Sequence, residues 1–315
     1  MRVGFFYDFD LTLSEEYQQF PLFRHFTESL KEKYPWFEKP EDYWRLCQHC
    51  DLGVGYMEQM VTHVKNGVFS GLTNEQMESE FGPQIELSSG LPGWFPRMGD
   101  FCDSNYLDPE HHVISVGIDP LIRGTSIAPH LTSVTSGKFR GNSKGITKIS
   151  NIVDPFQKVE VIKTICKGDL YTDLALKDYH INYRHALVFG DGFTDRDMFR
   201  YIRQRGGIAI CVFEPGNRPA YENAVHNLGG DGTLNSSVTI LAPRDYRAGS
   251  VLEEVTQEML HNMVEREKHC DMDYLLVHSM LRGQLEHPQI NEIVSGHYQD
   301  CKWCQKLTSP QLIFS

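Results

Sequence analysis

The stretch from Val3 to Leu13 constrains this chain more than any other. Val3-Gly4-Phe5-Phe6-Tyr7 is an apolar, aromatic run that breaks off at Asp8 and Asp10, with Thr12 behind them. A run this short and this aromatic predicts a buried strand. The two aspartates then sit where the strand ends and a loop begins, the edge where open α/β sheets bind ligands. Residues i and i+2 of a strand share a face, so both carboxylates can address one site. Two such charges repel unless a cation or a proton offsets them. A hard dication such as Mg²⁺ is the simplest offset.

The rest of the chain alternates in a way that fits such a sheet. Apolar runs at His112–Ile118, Leu131–Val134, Ala186–Phe189, Ile208–Phe213 and Val238–Leu241 predict strands. Helices are expected at Trp94–Tyr106, Pro120–His130, Val159–Lys167 and Val251–Met263. Alternation of this kind predicts a doubly wound, mainly parallel α/β sheet. Between the first strand and Trp94 the pattern turns helical, with Phe20, Phe23, Phe26 and Leu30, then Tyr43, Leu46, Met57, Met60, Val61 and Val64. This reads as a helical insert whose apolar stripes pack inward. The Gly137–Gly145 stretch is rich in Gly, Lys, Arg and Ser and reads as an exposed hairpin or loop.

Four short motifs fall at strand ends or helix starts. They are Asp8-Phe9-Asp10-Leu11-Thr12, Ser115 with Val116-Gly117, Lys158 ahead of a helix, and Gly190-Asp191-Gly192-Phe193-Thr194-Asp195. Each has a bland alternative. A lone aspartate after a strand is a common turn former. Thr194 with Asp197 would make a capping pair. Ser115 would suit a buried hydroxyl and Lys158 a solvated lysine.

In their order and types the four motifs resemble those of the haloacid dehalogenase (HAD) superfamily, over roughly residues 1–265. The resemblance implies a Rossmann-like sheet with a helical C1 cap, since the insert lies between the first and second motifs. The short segment between Ser115 and Lys158 leaves no room for a large second cap. The resemblance also implies roles. Asp8 is the expected nucleophile, forming an aspartyl-phosphate. Asp10 is the expected general acid and then base. Ser115 and Lys158 are expected to hold the phosphoryl oxygens. Mg²⁺ is expected on Asp8, the Asp10 carbonyl and Asp191, with Asp195 and Thr12 in support. An aspartate at position 10 favours a phosphatase or a phosphomutase, because the ion-pumping ATPases of the superfamily carry threonine there.

By layout the similar subgroup is the phosphoserine-phosphatase-like one. Its motifs have serine where Leu11 stands, glycine where Val116 stands and asparagine where Thr194 stands. The glutamate expected early in the cap has no match at its spacing, although Glu15 and Glu16 are near. The expected function is therefore Mg²⁺-dependent hydrolysis of a small-molecule phosphate monoester. Phosphoryl transfer or mutation through the same intermediate, and interaction through the C-terminal extension, stand as alternatives. Arg24, His25, Arg45, His49 and His63 are the candidate substrate contacts in the cap.

Composition narrows the partners. A net charge of −12 argues against a general nucleic-acid binder and an anionic membrane surface. No apolar run approaches a membrane span, and the N-terminus has no signal-peptide pattern, so a cytoplasmic enzyme of a small phosphorylated metabolite is expected. With 315 residues, one domain plus additions is expected. The division is a catalytic core of 1–13 and 90–265, a cap of 14–89 and a helical extension of 266–315. Eight cysteines in such a chain do not demand disulfides. Cys47-Gln48-His49-Cys50 and Cys301-Lys302-Trp303-Cys304 are Cys-x-x-Cys spacings, and His269, Cys270 and His297 share the tail with the second. A zinc site needs four donors at one point. The tail has enough of them, but their spacing matches no familiar finger, so free thiols are the default expectation.

Overall fold

A computed structural model describes residues 1–47, 55–169, 171–228, 236–270, 272–308 and 311–312. The strands are β1 (Arg2–Tyr7), β2 (Asp108–Ile118), β3 (Ser133–Asn142), β4 (Gly145–Asn151), β5 (Ala186–Gly190), β6 (Ile208–Phe213), β7 (Ile240–Pro243) and β8 (Gln311–Leu312). Their order in the sheet is β4-β3-β2-β1-β5-β6-β7-β8. All pairs whose register is described are parallel except β3–β4. From β1 the chain adds strands first on one side and then, from β5, on the other. That reversal beside β1 is the topological switch point of a doubly wound sheet. The expected fold class stands.

The chain forms two compact units. The first holds Met1–Tyr7, Ser88–His111 and Val159–Ser315. Its core is aromatic around β1. Tyr7 is fully buried, stacks on Phe189 at 4.8 Å, and takes a hydrogen bond from Trp94 Nε1 at 3.0 Å. β5, β6 and β7 are buried along their whole length, which is why they read as continuous apolar runs. The helix Val251–His269 starts at Ser250, whose hydroxyl accepts from Glu253 N. Arg97 fixes that turn through Glu253 at 2.6 Å.

The second unit holds Asp8–Leu87 and His112–Lys158. Short helices at Phe20–His25, Thr27–Lys33, Tyr43–Leu46 and Gly55–Lys65 enclose a stack of Phe23, Tyr43 and Phe69. Here the insert is helical, as its periodicity predicts. The β3–β4 hairpin joins it: Ile146 N donates to Leu72 O at 2.9 Å and Asn74 Nδ2 to Phe139 O at 3.1 Å.

These units divide the chain differently from the expected boundaries. The cut at 265/266 falls inside the helix Val251–His269, and β8 pairs with β7, so the extension belongs to the first unit. The cap body takes in the β3–β4 hairpin, whose turn falls in the Gly137–Gly145 stretch that reads as an exposed hairpin or loop. The helix expected over Pro120–His130 is only Asp119–Arg123, with a single tight turn at Ala128–His130. It stops at Gly124, where a Cβ would lie 2.0 Å from Glu78 O. No helix among the described residues is long and apolar enough to cross a membrane.

Candidate active site

Within the second unit the structure gathers Asp8, Asp10, Ser115 and Lys158, all expected from the sequence. Lys158 opens the helix Lys158–Lys167 and is fully buried. Its Nζ lies 2.8 Å from Asp8 Oδ1, and Asp8 is only 6% exposed. A buried lysine on a buried carboxylate is costly to assemble unless each charge satisfies the other. The bland reading of Lys158 as a solvated lysine is therefore excluded.

The loop after Asp8 is tightly wound. Phe9 O accepts from the backbone N–H groups of Thr12, Leu13 and Ser14 at 3.2, 2.8 and 3.1 Å. Ser14 Oγ accepts from Leu11 N at 3.3 Å and donates to Glu16 O at 2.7 Å. Leu11 is held at φ 57°, a left-handed conformation that a branched residue adopts only under constraint. The constraint sits between Asp10 and the buried Thr12.

Gln18 is a site residue that sequence reasoning missed. Its backbone N donates to Asp10 Oδ1 at 2.8 Å and its Nε2 to Asp10 Oδ2 at 3.2 Å. The same Nε2 lies 3.5 Å from Ser115 Oγ, and its Oε1 accepts from Ile118 N at 2.9 Å. Ser115 Oγ accepts from Gly117 N at 3.0 Å. A Cβ at Gly117 would lie 1.7 Å from Gln18 Nε2, so only glycine admits this approach. One carboxamide thus ties the aspartate loop to the end of β2. Nothing local in the sequence marks it, because a glutamine just ahead of a helix has the same pattern whether it faces water or a site.

The electrostatics fit a cation. Asp10 is pushed up to about 7, first by burial and then by the charge of Asp8, against the pull of Gln18 and Lys158. Two carboxyls share one ammonium. Their hard oxygen donors, with one positive charge too few, suit Mg²⁺.

In the first unit, Asp191 and Asp195 follow β5. Within this unit Tyr7 is in register with Phe189 on the parallel pair β1–β5, and Asp191 comes directly after β5. Asp195 is fully buried, and a Cβ at Gly190 would lie 2.3 Å from its Oδ2. Asp191 O accepts a weak bond from Cys211 Sγ at 3.6 Å. Thr194 is exposed in the tight turn Phe193–Asp195, and no side chain caps the helix Arg196–Arg203. The capping reading of Thr194 falls.

The candidate cap contacts are occupied elsewhere. Arg24 pairs with Glu16, at 2.8 Å through Nη1. Arg45 lies 4.4 Å from the Trp36 ring centroid and 3.9 Å from Asp42. His25 is exposed and packs edge-on against Phe81. His63 is fully buried and bonded to Tyr34, Tyr43 and Gln59. His49 and Cys50 lie outside the described residues. Tyr56 is, with Gln18, a cap side chain that reaches the motifs. Its hydroxyl donates to Val116 O at 2.8 Å, and its pKa is raised by burial and by Asp10.

Neither a protein-family model nor a curated protein matches this chain. Solved structures do. A HAD family hydrolase from Salmonella enterica subsp. enterica serovar Typhi aligns at 15% identity and TM-score 0.47, over 66% of this chain and 61% of that one. This chain therefore spans less than two thirds of that protein's length. A phosphoserine phosphatase in apo form aligns at 14% identity and TM-score 0.51, covering 82% of this chain and 98% of the other. A phospho-aspartyl intermediate analogue of phosphoserine phosphatase aligns at 14% identity and TM-score 0.50 over the same shares.

Proposed function

The phosphoserine phosphatases share this chain's fold, and on that fold we propose a phosphatase: Mg²⁺-dependent hydrolysis of a small phosphate monoester through an aspartyl-phosphate on Asp8. The observation that carries the proposal is Lys158 Nζ on Asp8 Oδ1 at 2.8 Å, with Asp10 two residues on and pushed up to about 7.

Asp8 Oδ attacks phosphorus and the ester P–O bond breaks. Asp10, half-protonated near neutrality, gives its proton to the departing alkoxide. It then takes a proton from the water that attacks the aspartyl-phosphate, releasing phosphate and restoring Asp8. Lys158 neutralises charge on the phosphoryl oxygens, and Ser115, whose Oγ accepts from Gly117 N, offers them its hydroxyl hydrogen. Gln18 holds Asp10 in place through its backbone N and its Nε2. Mg²⁺ would be held by Asp8, the Asp10 carbonyl and Asp191, with Asp195 in support, and would supply charge neutralisation to the phosphoryl group.

The test is a panel of phosphorylated metabolites assayed for phosphate release with Mg²⁺ and with excess chelator. Release that needs the metal and vanishes in Asp8→Asn supports the proposal. Release that survives complete chelation, or no hydrolysis of any monoester including aryl phosphates, refutes it.

A further inference from the structure

The tail holds a second cluster, formed by residues whose spacing left free thiols as the default expectation. Cys270 follows the helix Val251–His269, His297 lies in the helix Pro288–Asp300, Cys301 follows that helix and Cys304 lies in Lys302–Thr308. One donor atom from each of the four lies within 4.8 Å of every other. Cys270 Sγ and Cys304 Sγ are 3.7 Å apart, and each is 3.4 Å from His297 Nε2. His269, the other candidate in the tail, is not part of the group.

We propose that these four residues bind one structural zinc ion that fastens the C-terminal helices to the end of the helix Val251–His269. The geometry is that of a tetrahedral site. Zinc–sulfur bonds of about 2.3 Å and zinc–nitrogen bonds of about 2.0–2.1 Å place sulfurs about 3.8 Å apart and sulfur about 3.6 Å from nitrogen. A disulfide is ruled out for Cys270 and Cys304, since that bond needs sulfurs about 2.05 Å apart. Three thiolates and an imidazole are soft to borderline donors, a set that selects zinc over magnesium or calcium. Four protein ligands leave no open position, so the ion is structural and not catalytic.

The surroundings fit the resulting charge. Three thiolates, a neutral imidazole and Zn²⁺ sum to one negative charge. Arg266 is 3% exposed, donates to Gly206 O and Arg184 O at 2.7 and 2.9 Å, and feels the sulfurs of Cys270 and Cys304. Arg184 in turn donates to Cys270 O at 2.8 Å. A buried guanidinium beside the cluster supplies the opposite charge. The need for a staple is also visible. The apolar core here is small, with Cys270, Val277, Val294 and Cys304 as its buried members. So small a core holds chain weakly unless a metal or disulfide assists. Beyond the cluster, β8 extends the sheet beside Ile240 and Leu241.

The test is metal analysis of the full-length protein purified without chelator. One zinc per chain is expected. Cys304→Ser should lower it at least tenfold, while Asp191→Asn should leave it in place. Because Cys304→Ser could unfold the tail, two further measurements use the folded wild type. Thiol modification with an organomercurial should release one zinc to a chromophoric chelator. Replacement by Co²⁺ should give thiolate charge-transfer bands and the intense d–d bands of a tetrahedral site. A folded protein that takes up neither zinc nor cobalt would overturn the proposal. So would iron in place of zinc, or zinc that persists in a Cys304→Ser, His297→Ala double variant.

Discussion

Two groups of residues that could hold a cation are built on opposite plans in this chain. Around Asp8 the donors are carboxylate oxygens on a strand end, with a lysine ammonium beside them and an aspartate pushed up to about 7. Around Cys270 the donors are three sulfurs and one ring nitrogen from three helices and the residues after them, close enough to enclose an ion. The first plan sets carboxylates against a buried ammonium, an arrangement that would suit reaction at phosphorus. With zinc bound as proposed, the second would carry one negative charge beside Arg266 and have a closed shell, which is what holding chain together requires. Polarity and closure, rather than the number of acidic or metal-binding residues, separate chemistry from architecture here.

The comparison is most sharply tested by variants that should disable one group and spare the other. Asp10→Asn should cost about 10²–10⁴-fold in kcat by removing acid–base catalysis. Metal analysis should find the tail's content unchanged. Lys158→Ala should follow, with a loss of about 10²–10³-fold that added Mg²⁺ does not restore, because the missing charge acts on the transition state. Asp191→Asn should behave otherwise, regaining part of its activity as Mg²⁺ is raised in a steady-state titration. A Lys158→Ala variant rescued by Mg²⁺ would blur the distinction between charge on the phosphoryl group and charge that binds metal.

Smaller effects probe what surrounds the first group. Gly117→Ala must displace Gln18, whose Nε2 would lie 1.7 Å from the new methyl. Losing bonds to a charged partner costs on the order of 1.5–3 kcal/mol, so about tenfold to a hundredfold in kcat/KM is expected. Gln18→Ala should match it. A Gly117→Ala enzyme at full rate would show that Gln18 is dispensable.

His63 gives the smallest effect, on stability alone. Burial lowers its pKa from 6.5 to about 4. Its folded pKa lies below the unfolded one, so its contribution is complete above pH 6.5 and is lost as pH falls toward 4. Thermal melts across that window should show a decline on the order of 2 kcal/mol from this group. His63→Gln should flatten that slope, and an unchanged slope would place the acid sensitivity elsewhere.

How much of this was legible depended on whether the signal is local. β1, β5 and β6 are buried on both faces, so each reads as an apolar run bounded by polar turns. Asp8, Asp10, Ser115 and Lys158 sit at strand ends or helix starts, where local pattern and site coincide. The turn of the β3–β4 hairpin was legible as a hairpin or loop from its Gly, Lys, Arg and Ser, but its pairing with the cap was not. β8 is two residues long, too short for any periodicity. Gln18 and Tyr56 were invisible because an approach to Asp10 depends on how the short helices fold back. The donors of the Cys270 cluster could be named from the sequence, but their meeting at one point could not, for the same reason. His297 reaches Cys270 only once the helix Pro288–Asp300 has packed, and no spacing rule encodes that.

The central claim is that Asp8 carries the phosphoryl group. The most direct measurement is intact and peptide mass of wild type, Asp8→Asn and Asp10→Asn after brief exposure to an aryl phosphate with Mg²⁺. Asp10→Asn should carry a phosphate on the peptide containing Asp8, because hydrolysis of the intermediate is slowed. Asp8→Asn should carry none and should turn nothing over. An Asp8→Asn enzyme with full activity, or a phosphate found on another residue, would contradict the account.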